Sequence, residues 1–417
     1  MEVNNSSHLT LSELIYLAIE RNIDTRKALI NIQIAEKELD AGKSVYYPYI
    51  SATGGYTNNK RDYNGKVKIQ DTYGTINMDY EIFTFGKNTN KIKALQHYLN
   101  SIKYQEDYIT QNIIYRVIEN YYNLLSLESK KEAAIEIEKS SLEAFKSASL
   151  KHKIGVVPLV DKLKSSNLHS KNVLSRIKIE NAIKQQKAEL NNVLNLEPNY
   201  VLNVEKPEIN INKINNNIEY YIQEALKNRP DLKQLKETQK QKKKELVALQ
   251  LSRLPKVNLS GSISSNKEKY DGNLLDRKRN RTIALTVSIP LFSGFYTISS
   301  INILENEIKN INLEIEQLNK SISKEVWNVF YDFDTAQKSY FVAKDLLNTA
   351  KENAKIQLGM YKNSKCSMLD VLDSQDQLEN ARYEFINSQY SLLIYRMKLL
   401  KTIGKMNLEN IINIDRL

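Results

Sequence analysis

Two hydrophobic periods take turns along this chain. The segment from Thr10 to Glu13 (TLSE) reads as a capping box, in which the hydroxyl and the carboxylate each satisfy a free backbone N–H at a helix start. A helical period runs from there to about Val45, with a joint near Asn22. From Tyr49 the period drops to two. Ile50, Ala52, Gly54 and Tyr56 alternate with Ser51, Thr53, Gly55 and Thr57. After a polar loop holding Lys60, Arg61, Asn64 and Gly65, the alternation resumes, with Ile76, Met78, Tyr80 and Ile82 set against Thr75, Asn77, Asp79 and Glu81. This predicts a hairpin over about 48–84 with one apolar and one wet face. A second hairpin, at about 255–292, sets Val257, Leu259 and Ile263 against Asn258, Ser260 and Ser262. Beyond a basic loop (Arg277, Lys278, Arg279, Arg281), it sets Ile283, Leu285, Val287 and Ile289 against Ala284, Thr286 and Ser288. Strands of about 8–11 residues are expected, a length that crosses a bilayer when tilted. The loops are placed at about 58–72 and 265–281.

Each hairpin leads into a stretch with no proline, about Lys87 to Lys151 and about Tyr296 to Leu358, which predicts two very long helices. The second carries a heptad seam through Leu304, Ile308, Ile311, Ile315, Leu318 and Ile322. One extra four-residue step reaches Val326, and the seam continues through Val329, Phe333, Ala336, Tyr340, Ala343 and Leu347. Such a stutter locally unwinds a supercoil, so the helix should pack lengthwise on its partners and straighten partway. Both long helices end at short turns, Ile154 to Pro158 and Asn363 to Ser367, with Pro158 suited to a first helical position. Return helices follow at about 158–193 and 367–403.

The two series superimpose. Ala18–Asp24 matches Ala225–Asp231 at an offset of 207; Phe83 with Phe292 and Asp161 with Asp370 match at 209. A two-residue difference in one hairpin accounts for the change. The period far exceeds a solenoid repeat of about 20–50 residues, so this is a duplicated half-protein. The division is a polar tail (1–8), a first repeat (9–196), a connector with room for one strand (197–217), a second repeat (218–408) and a tail (409–417).

Composition narrows the chemistry. Among 417 residues, 12 glycines and 7 prolines suit long helices, and no apolar run is long enough for a membrane-spanning helix. The lone Cys366 excludes an internal disulfide, and His8, His97, His152 and His169 show no ligand spacing. No nucleophile motif, phosphate loop or paired base points to an enzyme, a metal or a cofactor. The net charge of +11 is spread along helix faces among 49 acidic residues, which reads as a solvated surface and not as a nucleic-acid site. The start, MEVNNSSHLT, lacks the basic and apolar regions of a signal peptide.

Four amphipathic strands leave two edges of unpaired N–H and C=O groups, which lipid does not tolerate, whereas closed barrels begin at about eight strands. Two to four copies could therefore close one. The order of elements, with Leu9 to Leu14 (LTLSEL), Ile289 to Gly294 (IPLFSG) at the strand-to-helix junction and Leu369 to Ser374 (LDVLDS) after the second turn, resembles the TolC-like outer-membrane efflux protein family over about residues 9–408. The resemblance implies a mainly α fold with a small β part: a homotrimer with a 12-stranded outer-membrane β-barrel above a periplasmic α-helical tunnel of long antiparallel helices. It implies a passive duct of a Gram-negative tripartite efflux or type I secretion system, with a periplasmic adaptor protein and an inner-membrane pump as partners. The export signal of such a protein would have been removed. A soluble coiled-coil scaffold using the same heptads is the alternative.

Asp370 and Asp373, at i and i+3, share one face of the return helix. By the resemblance they form the channel constriction, where six carboxylates around an axis would raise one another's pKa. A second reading has Ser367 as N-cap with Asp370 at the third position, which explains Asp370 better than Asp373. The resemblance also assigns Asp161 and Tyr361 to a latch that holds the tip closed. The arginine that completes it is replaced by Cys366, with Lys365 adjacent, and lysine cannot form arginine's bidentate fork. Gly155, Val156 and Val157 resemble an adaptor-contacting tip, and Gly155 equally fits a helix C-cap. Tyr47, Tyr49, Tyr80, Phe83, Phe85 and Phe292 at the strand ends suit an interfacial belt.

Overall fold

The structure is a computed structural model describing residues 9–62, 66–206, 217–271 and 273–406. The expected tails, Asn64 and Gly65 of the first loop, and connector residues 207–216 lie outside them. The first series is α1 (Leu11–Arg21), α2 (Ile23–Gly42), a 3-10 turn (Lys43–Tyr46), β1 (Tyr49–Asp62), β2 (Lys66–Phe83), α3 (Lys87–Lys153) and α4 (Leu159–Val193). The second is α5 (Ile218–Asn228), α6 (Pro230–Leu251), β3 (Lys256–Tyr270), β4 (Asn273–Ser288), α7 (Tyr296–Lys362) and α8 (Met368–Thr402).

The ends of the helices repeat as faithfully as the sequence does. Thr10 and Glu13 form the reciprocal capping box at α1, with Thr10 N–H donating to Glu13 Oε2 at 2.8 Å. The joint after α1 is Asn22, whose N–H donates to the Ala18 carbonyl; after α5 it is Arg229, donating to Ala225, 207 residues on in both cases. The four longest helices close with the same pair of backward hydrogen bonds around a residue of positive φ: Gly155, Asn195, Ser364 and Gly404. Gly155 aligns with Ser364 and Asn195 with Gly404, at an offset of 209. At Gly404 glycine is also required by space, because a Cβ there would sit 2.8 Å from the Arg229 nitrogen. Pro158 is the N-cap of α4 and not its first residue, one position earlier in the motif than its sequence setting suggested.

Contacts divide the chain into two compact units, and each draws on both series. One comprises Leu29–Gln105 and Asp231–Gln317. It holds a single four-stranded antiparallel sheet in the order β1-β2-β3-β4, so β1 and β4 are its edges. Directly opposed residues of an antiparallel ladder share a face. Ile50, Met78, Gly261 and Ile283 form one row, Ala52, Ile76 and Ile263 the next, and Tyr80, Leu259 and Leu285 another, all on one face. On the other face lie rows such as Ser51, Asn77, Ser262 and Thr282, or Thr53, Thr75, Ser264 and Asn280. The apolar face is bare; Ile283 is 84% exposed.

Three sequence expectations are corrected here. The strands are 14, 18, 15 and 16 residues long, well beyond 8–11. The segments expected as loops, 58–72 and 265–281, are mostly paired strand, with the second turn at Asp271. Backbone hydrogen bonds carry the ladder past the point where side-chain alternation stops being apolar. A bulge between Glu81 and Phe83 also brings Phe83, and not Ile82, opposite Val257, which faces Val287.

The other unit comprises Met1–Ala28, Glu106–Pro230 and Leu318–Leu417. Its main core joins Leu14, Ile15 and Ala18 of α1 to Ile114, Ile118, Tyr121 and Leu125 of α3, Leu190 of α4, and Tyr390 and Met397 of α8. The connector packs on this core: Leu9 and Val204 form a parallel bridge, and Tyr121 donates its hydroxyl hydrogen to the Glu205 carbonyl at 2.6 Å. Every residue of the α7 seam from Leu304 to Leu347 is buried or half-buried, on both sides of the stutter.

Candidate functional site

The two helical turns are built by the ends of α3 and α7 and the starts of α4 and α8. A small apolar core fixes their second half: Ala148 of α3, Tyr361 of α7, and Met368 and Val371 of α8, flanked by Leu358, Cys366 and Leu372. Sharp reversal at the end of each long helix is possible because Gly155 (φ +76°) and Ser364 (φ +57°) turn left-handed. Gly155 thus acts as a C-cap glycine. Beside it the first turn is apolar and open: Ile154 is 73% exposed and Val156 56%, and Leu159, Val160 and Leu163 are exposed as well. Val157 is half-buried, its carbonyl 3.1 Å from His152 Nδ1. Five exposed aliphatic side chains in so short a span make a patch of the kind that other surfaces cover.

Asp370 takes the capping role in full. Its Oδ2 accepts from Ser367 N–H (2.9 Å) and Ser367 Oγ–H (2.6 Å), and its own N–H donates back to Ser367 Oγ. Hydrogen bonds from the Ser367 hydroxyl and backbone hold this carboxyl below the usual range, so within one chain its shift runs opposite to that expected from carboxylate crowding. Oδ1 is left over. Asp373 is exposed and accepts from Gln377 Nε2 at 2.8 Å. Both carboxylates stand on the surface of α8.

Tyr361 is buried, and its hydroxyl has no hydrogen-bond partner among the described residues. Burial pushes the phenol's pKa up, and the charges of Asp161 and Cys366 add to this. Asp161, in the first turn of α4, is therefore close enough to be felt, although the two side chains are not hydrogen-bonded. Cys366 donates its S–H to the Gln357 carbonyl (3.3 Å); burial and Asp370 raise its pKa.

The cation of this site is Lys151, from the last turn of α3. Its Nζ donates to the Tyr361 carbonyl at 2.6 Å, approaches Ser364 Oγ at 3.4 Å and lies 4.3 Å from the centre of the Tyr361 ring. Sequence reasoning looked for the cation beside Cys366, at Lys365, and missed this one. The only local sign was a basic last turn, Lys151, His152 and Lys153, which is common at helix C-termini. Among the described residues no cluster of three or more His, Cys, Asp or Glu could hold a metal ion.

The outer membrane efflux protein family matches residues 14–196 and 221–405, one match on each series. The chain is 20% identical to outer membrane protein TolC of Escherichia coli (strain K12), over 94% of this chain and 82% of that one. It superposes on CusC with a TM-score of 0.84 at 15% identity, covering 94% of this chain and 92% of that one. For the Campylobacter jejuni CmeC outer membrane channel the TM-score is 0.83 at 17% identity, covering 97% and 89%. With both repeats matched, the chain belongs to the outer membrane efflux protein family and is an outer-membrane efflux channel protein.

Proposed function

We propose that three copies of this chain form a passive duct whose barrel spans the outer membrane and whose helical turns form a closable end. The observation that carries this reading is the open four-stranded sheet. One face is apolar and bare, the other is lined by Ser, Thr and Asn, and β1 and β4 present unpaired edges. Such a sheet in lipid needs neighbours on both edges, and three copies supply a closed ring. Exposed Trp327, Tyr331, Phe341, Val342 and Leu346 on α7 support further helix contacts between copies.

Asp370 and Asp373 form the constriction, Asp370 through the Oδ1 that its cap leaves over. Asp161, Tyr361 and Lys151 hold the tip closed. The apolar turn around Gly155, Val156 and Val157 receives a periplasmic adaptor, through which an inner-membrane pump supplies the energy. A conduit of this kind needs no catalytic group, and a lumen of hydroxyls and amides selects little among cargoes.

The test is the protein mass of the detergent-extracted particle by light scattering. The expected value is three times the 48.2 kDa of one chain. A water-soluble monomer or dimer that needs no detergent would sink the duct.

A further inference from the structure

The basic run Arg277, Lys278, Arg279 and Arg281 was expected as a loop. The structure makes it strand, and strand alternation sorts its charges. Arg281 lies opposite Ile263, in the row next to Ile283, Gly261, Met78 and Ile50. Arg279 lies opposite Ser265, one row further. Both therefore share the face of Ile283, Leu285 and Val287, at steps of about 6.8 Å along β4. Lys267 and Lys269 of β3 and Lys60 and Lys68 of the first hairpin fall on the same face beyond the apolar rows, as does Tyr56. Lys278 falls on the opposite, polar face, opposite Asn266. So do the carboxylates Asp71, Asp79, Glu81 and Glu268, whereas Asp62, opposite Lys66 at the end of the first hairpin, lies on the apolar side. Arg279 and Arg281 are exposed and form no ion pair among the described residues.

We propose that this border of cations on the apolar face, centred on Arg279 and Arg281, binds the phosphate headgroups of anionic lipids in the outer leaflet. The inference rests on the outer-membrane reading, since only then does the bare face meet lipid. A guanidinium takes a phosphate through two parallel hydrogen bonds, and its stem can lie along neighbouring apolar residues while the head reaches the interface. Cations predominate beyond the apolar rows of that face, whereas the polar face carries most of the carboxylates together with Lys256 and Lys278, so an anionic surface is matched better on the apolar side.

The experiment uses the full chain in phosphatidylcholine vesicles with and without phosphatidic acid, a phosphomonoester probe, and measures phosphatidic acid retained per chain. The wild type and Lys278→Ser should retain it alike. Arg279→Ser with Arg281→Ser should weaken retention by about fivefold for each arginine removed. Melting in phosphatidylcholine alone should be unchanged, which shows that the double variant folds. Equal retention by all three proteins, or an equal loss in Lys278→Ser, would overturn the lipid site while leaving the duct standing. Displacement of the lipid by millimolar inorganic phosphate would overturn it too, as a plain anion site. Failure of the wild type to enter any vesicle would overturn both readings.

Discussion

Lys151 carries the main single-residue prediction at the helical turns. It joins the end of α3 to the end of α7 through a hydrogen bond to the Tyr361 carbonyl and a contact with its ring. Together these hold the two helix ends to each other by about 1–2 kcal/mol, so on the proposed latch Lys151→Met should raise the open population roughly tenfold. Asp161 makes no hydrogen bond to Tyr361, and Asp161→Ala should open the tip less than Lys151→Met does. Single-channel conductance in planar bilayers ranks the two; a larger gain for Asp161→Ala would reverse the assignment. Asp370 gives a pH signature. Its pKa is lowered from 3.8 by the Ser367 cap, so the cap is fully present above that value and is lost as pH falls through the depressed pKa. Hydrogen exchange at the first turn of α8 should therefore speed up in strong acid in the wild type. Asp370→Asn, which cannot titrate, should show no such acid step.

The elements show why some features are written in the sequence and others are not. The α7 seam was readable because burial of a long helix repeats every seven residues, and a single stutter leaves the pattern intelligible. Ile322 is fully buried beside that stutter, whereas Ile303 is largely exposed. Ile322→Ala should lower stability by about 2–5 kcal/mol, and Ile303→Ala should change the stability of one chain little. Denaturation followed by tryptophan fluorescence at Trp327, five residues from Ile322, separates the two. The capping boxes at Thr10 and Ser367 were readable because both partners lie within four residues. Strand lengths were not, since the ladder past Thr57 and Ser265 is held by backbone groups that every residue shares. Nor was the shift from Ile82 to Phe83, which depends on a bulge against β3 some 170 residues away by the count of the sequence. Lys151 was hidden for the same reason: its partner Tyr361 is 210 residues distant.

At the scale of the whole molecule the duplicated chain fixes what kind of assembly can close. The sheet edges are β1 at one side and β4 at the other, and they are unlike. Joining β4 of one copy to β1 of the next is a heterologous contact, which makes a ring if the rotation closes and a filament if it does not. A dimer that joined β1 to β1 or β4 to β4 would instead leave two edges open, whereas two copies joined β4 to β1 twice would close a ring of eight strands. Cysteine crosslinking distinguishes these outcomes once Cys366 is replaced by serine. Cysteines are scanned along the polar face at Ser51, Thr53 and Gly55 of β1 against Thr282, Ala284 and Thr286 of β4, singly and in β1–β4 pairs. In the ring, no single cysteine crosslinks, some pairs do, and the covalent series stops at three chains. Dimers from a single edge cysteine would replace the ring by a like-edge contact, and a paired series that stopped at two chains would make the ring one of eight strands. A series running past three chains would show that the duct closes with more copies or does not close.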